Sequence, residues 1–362
     1  MSLSRKRPTI LRFVLSLFMG LLASGGLLLA LQRYYQQYLE KSILREPFFI
    51  LAGISALLIA LFFAFPANRP SRLFKWLTRL IVVIVLLALL WAGGTFYIAQ
   101  NDMLYMPGLR ETNAEEALTK VPAVEEISFT GKDGRVFSGY FWKATPGKAG
   151  LILYFGGNGE PAAGRVYALV RDQAAALFPG YNFMMADYPG YGKSTGEPTE
   201  ETILEMADAA LAYARTRQEV DPARLVIAGW SLGTGPAAYL AASNSPAGLI
   251  LMAPFYNGTE LANSFISGVY LKGVKWPGLP SFAVRNQYPS DRYAAQTTVP
   301  TLILAGEADS LVPFAQSERL AARYSKAQLV KLAGGHTAPW TDPASFSAIA
   351  QFLGALQPPA QP

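Results

Sequence analysis

Five residues, Gly229-Trp230-Ser231-Leu232-Gly233, stand directly after the apolar run "RLVIAG" and before a stretch with helical character from about Thr234 to Ser243. A serine between a strand and a helix, flanked by glycines, fits a sharp turn that lifts its Oγ clear of a sheet. The glycines at 229 and 233 are required because a Cβ there would run into the neighbouring strand and helix. A serine hydroxyl attacks poorly at neutral pH unless a base takes its proton, and the usual base is a histidine held by a carboxylate. His336, in "LAGGHT", is the only histidine of the 362 residues, and no cysteine offers another nucleophile. It follows the apolar run "QLVKL" and precedes a helix, so it belongs to a loop at a strand end. The carboxylate should come between serine and histidine, at the end of the preceding strand. "LILAGEADSLVP" offers Glu307 and Asp309 there; Glu307 is nearer the strand, but Asp309 sits in a turn able to reach back over the sheet and is preferred. The histidine must be neutral to accept a proton, so activity should fall on acidification.

A developing oxyanion needs preorganised donors. The backbone N-H of Leu232, next to the nucleophile, is one. "YFGGNGE" supplies the second loop, with Asn158 N-H the expected donor and Gly157 the alternative; the same glycines would also make an ordinary turn.

These loops need a framework. "GLILYFGGNG" is a continuous apolar run ending in glycines, which suits a strand buried on both faces. The rhythm continues with strand "YNFMMADY", helix from about Glu200 to Gln218, strand "RLVIAG", strand "AGLILMA", strand "VPTLILAG", helix Phe314 to Tyr324, strand "QLVKLAG" and a last helix Pro343 to Leu356. Strands alternating with helices predict an α/β fold with a parallel sheet covered on both sides. Before them, Glu125 to Lys143 alternates polar and apolar residues around Asp133-Gly134, a hairpin signal. Between "APFYNGTEL" and "YPSDRY", about residues 258 to 286, the rhythm breaks. That insertion carries Phe265, Tyr270, Trp276 and Phe282. It is read as a short cap whose aromatics either line an acyl or side-chain pocket or simply pack on the body.

The matching segments together resemble an α/β-hydrolase, in particular the Bem46 and ABHD12/ABHD13-like branch, which also resembles the serine aminopeptidase (S33) group. They are "LYFGGNG", "ADYPGYGKSTGEPTE", "GWSLGTG", "LAGEADSLVP", "GGHT" and "QNDMLYMP". The resemblance spans residues 97 to 353 and implies a Ser231, Asp309, His336 triad, an eight-stranded mostly parallel sheet, and cofactor-free hydrolysis of an ester, thioester or amide. One departure is Gly156, where many relatives carry histidine, which leaves open how that loop is held.

The first hundred residues lie outside the resemblance. Three apolar runs, at about 13-31, 47-65 and 80-99, each approach the roughly 20 residues that span a bilayer. They are read as a three-helix membrane anchor, residues 1-100, with the first run retained rather than cleaved as a signal peptide. Residues 1-100 hold 11 Lys/Arg against 2 Asp/Glu, and the remainder holds 20 against 23. The basicity thus belongs to the anchor, which argues against a nucleic-acid partner. Arg5, Lys6, Arg7 and Arg12 precede the first run, and Arg69, Arg72, Lys75 and Arg79 lie between the second and third. Positive-inside bias therefore puts the N-terminus in the cytoplasm and everything after Ala99 on the other side, the periplasm in a Gram-negative cell. A linker over 101-122, a hydrolase domain over 123-356 and a tail over 357-362 complete the expected organisation.

No dinucleotide fingerprint, P-loop or EF-hand loop occurs, and one histidine without cysteine argues against a His/Cys metal site, so neither cofactor nor metal is expected. The spans hold almost no charge within them, which disfavours transport. The leading expectation is a membrane-anchored serine hydrolase acting on a small acyl, lipid or peptide substrate. The alternative is a membrane scaffold or binding protein that keeps the fold without turnover.

Overall fold

The computed structural model describes residues 72–267 and 277–356. The chain divides into two compact units, Met1–Phe96 and Tyr97–Pro362. The first two predicted spans lie outside the described residues. The third falls within helix α1 (Arg72–Leu104), 33 residues long. Along it Trp76, Leu80, Val82, Val83, Ile84, Leu86 and Trp91 are exposed. Among the residues described with their side chains, no helix is long and apolar enough to cross a membrane.

The second unit is built on one eight-stranded sheet in the order β1-β2-β4-β3-β5-β6-β7-β8. The strands are β1 (Val124–Thr130), β2 (Val136–Trp142), β3 (Ala149–Phe155), β4 (Tyr181–Ala186), β5 (Val220–Trp230), β6 (Gly248–Met252), β7 (Thr301–Gly306) and β8 (Ala327–Leu332). β1 and β2 form the expected antiparallel hairpin, and β2 also runs antiparallel to β4. From β4 through β8 every pair is parallel. Parallel strands need crossovers, so helices cover both faces, and the strands read as unbroken apolar runs for that reason.

Alternation along each strand sorts the core into two layers. Leu151, Leu153 and Phe155 of β3 join Ile227 and Leu251 on one face, under α4 (Glu200–Thr216) and α5 (Thr234–Asn244). Ile152, Tyr154, Ala228 and Ile250 take the other face, under α3 (Ala162–Arg171) and α10 (Pro343–Ala355). Helix α4 starts where Thr199 accepts the Thr202 N-H, which satisfies a donor that the first turn leaves free.

Two expectations need correction. The segment 101-122 is not a bare linker. It contains α2 (Thr112–Leu118), whose Ala114 and Leu118 are buried, and Tyr105 is fully buried. The Tyr105 hydroxyl donates to Asn286 Oδ1 at 3.0 Å and shares a 2.8 Å hydrogen bond with Tyr288, so this stretch is part of the body. The cap region contains α6 (Gly258–Phe265), while Tyr270 and Trp276 lie outside the described residues. Phe282 is 83% exposed, neither packed on the body nor enclosed in a pocket. The remaining helices are α7 (Ser290–Gln296), α8 (Phe314–Ala321) and the short α9 (Ala338–Thr341).

Candidate active site

Ser231 stands at the end of β5, the central parallel strand, and opens a single tight turn, Ser231–Gly233, that runs straight into α5. Its φ is +51°, a left-handed conformation that a non-glycine residue adopts only when its surroundings impose it. The surroundings here are backbone. A Cβ on Gly229 would stand 2.2 Å from Gly233 O, and one on Gly233 would stand 2.1 Å from Phe155 O. Both glycines are therefore dictated by close approach between β5, its turn and β3.

His336 reaches Ser231 from the loop after β8. That loop is fastened to the end of β7: Glu307 N-H donates to Leu332 O at 2.9 Å and Ala308 N-H to Gly334 O at 2.8 Å. His336 Nε2 lies 2.8 Å from Ser231 Oγ, and His336 Nδ1 lies 2.7 Å from Asp309 Oδ2. A carboxylate only accepts, so Nδ1 carries the proton and Nε2 is left to accept from the serine hydroxyl. The other oxygen of Asp309 accepts from Leu311 N-H at 2.9 Å and Val312 N-H at 2.8 Å. Three donors thus fix a carboxylate that is 6% exposed. Glu307 turns outward instead and pairs with Lys331 Nζ at 2.6 Å on the surface. The structure brings together the serine, the histidine and one of the two candidate carboxylates.

The second expected loop follows β3. Asn158 is exposed and its Oδ1 accepts from the Tyr191 hydroxyl at 3.2 Å. Its N-H has no partner among the described residues. Gly157, the alternative donor, is already engaged: its N-H donates to Glu160 Oε2 at 2.7 Å. Leu232 is buried one residue beyond Ser231.

Sequence reasoning passed over a cluster that joins these loops. Trp230 Nε1 donates to His336 O at 3.3 Å, and its ring stands 5.5 Å from the imidazole. The Arg165 guanidinium lies 3.8 Å over Trp340 and 5.9 Å from Trp230, and pairs with Glu160. The only sequence signal was an acid and a base five residues apart at the start of α3, a helix that also went unread. Among the described residues no group of three His, Cys, Asp or Glu could hold a metal ion.

A family model described as the alpha/beta hydrolase fold matches residues 150–276. A second, described as TAP-like protein, matches residues 263–361. The alpha/beta hydrolase domain-containing protein WAV2 of Arabidopsis thaliana is 30% identical over 236 residues, 61% of this chain and 75% of its own. The lysophosphatidylserine lipase ABHD12 of Danio rerio is 32% identical over 225 residues, 60% of this chain and 56% of its own. Among solved structures, an esterase of Pyrococcus furiosus superposes with a TM-score of 0.54 at 17% identity, covering 69% of this chain and 98% of that one. The chain belongs to the α/β-hydrolase family and is a hydrolase by that membership.

Proposed function

We propose that the protein is a membrane-anchored serine hydrolase in which Ser231 is the nucleophile, His336 the general base and acid, and Asp309 the group that holds the imidazole. The observation that carries this reading is the unbroken row from Ser231 Oγ through both His336 nitrogens to Asp309, at 2.8 and 2.7 Å. In the first half-reaction Ser231 Oγ bonds to the substrate's acyl carbon while its proton passes to Nε2. The carbonyl oxygen becomes an oxyanion facing Leu232 N-H and Asn158 N-H. Collapse breaks the bond to the leaving group, which takes the proton back from the imidazolium. Water then repeats the sequence on the acyl-enzyme and releases the acid. Asp309 keeps Nδ1 protonated and favours the transient imidazolium without itself taking the proton.

The bond cleaved is an ester, thioester or amide of a small acyl, lipid or peptide substrate. Similarity to a protein named as a lipase supports acyl esters as the first class to test. The anchor rests on the three apolar runs of the sequence, and the exposed apolar side chains of α1 support it. The loop charges support a cytoplasmic N-terminus and a hydrolase domain beyond the membrane.

A fluorophosphonate probe should label the wild-type protein in membranes and fail on Ser231→Ala. Equal labelling of both, or none on folded wild type, would favour a scaffold that keeps the fold without turnover. Protease added to intact spheroplasts should remove the domain after Ala99; its survival would overturn the outward orientation. Screening purified protein against acyl esters, thioesters and aminoacyl amides would assign the bond.

A further inference from the structure

Gly156 opens the loop after β3, and a Cβ there would stand 2.6 Å from Met185 Cε and 2.9 Å from Glu160 Oε2. The room a side chain at 156 would need is filled from four residues downstream. Glu160 Oε2 accepts the Gly157 N-H at 2.7 Å and the Tyr154 hydroxyl at 2.9 Å, while Oε1 is paired with Arg165. Burial pushes the Tyr154 phenol well above its usual range, so it remains a donor. The ion pair is itself sheltered, with Arg165 and Glu160 side chains only 17% and 10% exposed and the guanidinium lying over Trp340. The opposite side of the loop is tied by Tyr188, whose hydroxyl donates to Gly156 O at 2.6 Å.

We propose that Glu160, locked by Arg165, is a positioning residue that fixes the Gly156-Gly157 peptide, and through it the peptide that follows, so that Asn158 N-H points to the oxyanion. The inference rests on the reading of Asn158 as an oxyanion donor. A Gly-Gly-Asn-Gly loop has little conformational preference of its own, and a donor contributes to a transition state only when it is oriented beforehand. Glu160 supplies that orientation through the peptide next to the donor. The Arg165 contacts with Trp230 and Trp340 set the same anchor against the His336 loop.

The test uses the full-length protein and compares hydrolysis of an acyl ester with binding of the matching trifluoromethyl ketone, whose adduct with Ser231 carries an oxyanion. Glu160→Met removes the acceptor at nearly constant volume. It should lower kcat about tenfold or more, with KM within about threefold and ketone affinity falling in parallel with kcat. Glu160→Gln keeps an acceptor for Gly157 N-H and should recover most of both. Because removing one member of a sheltered pair can unfold the region, Glu160→Met/Arg165→Met serves as the second variant, and the same parallel loss is expected. Wild-type kcat and ketone affinity in Glu160→Met would overturn the inference. So would a loss of kcat without a loss of ketone affinity, which marks a merely structural role. Wild-type protein that takes no fluorophosphonate label would instead sink the hydrolase reading and this inference with it; labelled wild type with an indifferent Glu160→Met sinks the inference alone.

Discussion

Two aspartates end strands of the same sheet, and both are buried: Asp187 after β4 is 4% exposed and Asp309 after β7 is 6% exposed. Their partners divide them. Asp309 turns one oxygen to His336 Nδ1 and accepts two backbone N-H groups with the other, so its charge is aimed at an imidazole that, in the proposed mechanism, becomes cationic during turnover. Asp187 accepts the Ala162 N-H at 2.8 Å and a long 3.5 Å contact from Ser138, and among the described residues it makes no ion pair. Burial accordingly pushes its carboxyl from 3.8 up to about 6. Burial at a strand end is therefore not enough to set a carboxylate against an imidazole. What matters is the group that the carboxylate faces.

The largest losses are expected at the two residues joined to Asp309 in the proposed row. Ser231→Ala or His336→Ala should lower kcat/KM by about 10⁴- to 10⁶-fold with little change in melting temperature, read by ester hydrolysis and thermal unfolding together. Asp309→Asn keeps the shape but offers His336 a donor where it needs an acceptor, and about a 10⁴-fold loss is expected. The matched change Asp187→Asn should leave kcat within about threefold, because Asp187 holds the start of α3 and touches nothing that reacts. A loss comparable to that of Asp309→Asn would erase the distinction.

The two aspartates should separate again in stability against pH. A carboxyl at about 6 in the folded chain and 3.8 unfolded binds more protons when folded between those values. The stability it contributes is therefore fully present below pH 3.8 and is lost as pH rises through about 6, on the order of 3 kcal/mol in total. Asp187→Asn removes that dependence. Wild type should consequently gain stability relative to Asp187→Asn when chemical unfolding is repeated at pH 4.5 instead of 7, and no relative gain would show that the carboxyl is not desolvated. The smallest effect belongs to the rejected carboxylate. Glu307→Gln breaks only an exposed pair with Lys331, and it should leave activity within about twofold and stability within about 1 kcal/mol.

Some of this site was legible residue by residue. Ser231 announced itself through its glycines, because a Cβ on Gly229 would meet Gly233 within the same five residues, although the demand on Gly233 comes from Phe155 of β3. His336 was singled out by rarity and by its place after the last strand. The α3 helix was missed because "EPAAGRVYALVR" follows a glycine-rich loop and contains Pro161 and Gly164, so the turn signals masked its periodicity. Tyr105 was read as linker, since nothing local reveals hydrogen bonds to residues about 180 positions away.

By itself, then, the sequence determined the alternation of strands and helices through its periodicity, the serine turn through its flanking glycines, and the sole histidine through composition. Only the tertiary structure decided which carboxylate meets the imidazole, and that Glu160 rather than a side chain at 156 holds the loop beside it. Glu307 and Asp309 differ by two positions, and which one turns inward depends on how the β7 and β8 loops meet. The Ser231 to His336 contact closes across 105 residues of chain, a distance over which local patterns carry no geometry and only the packed sheet does.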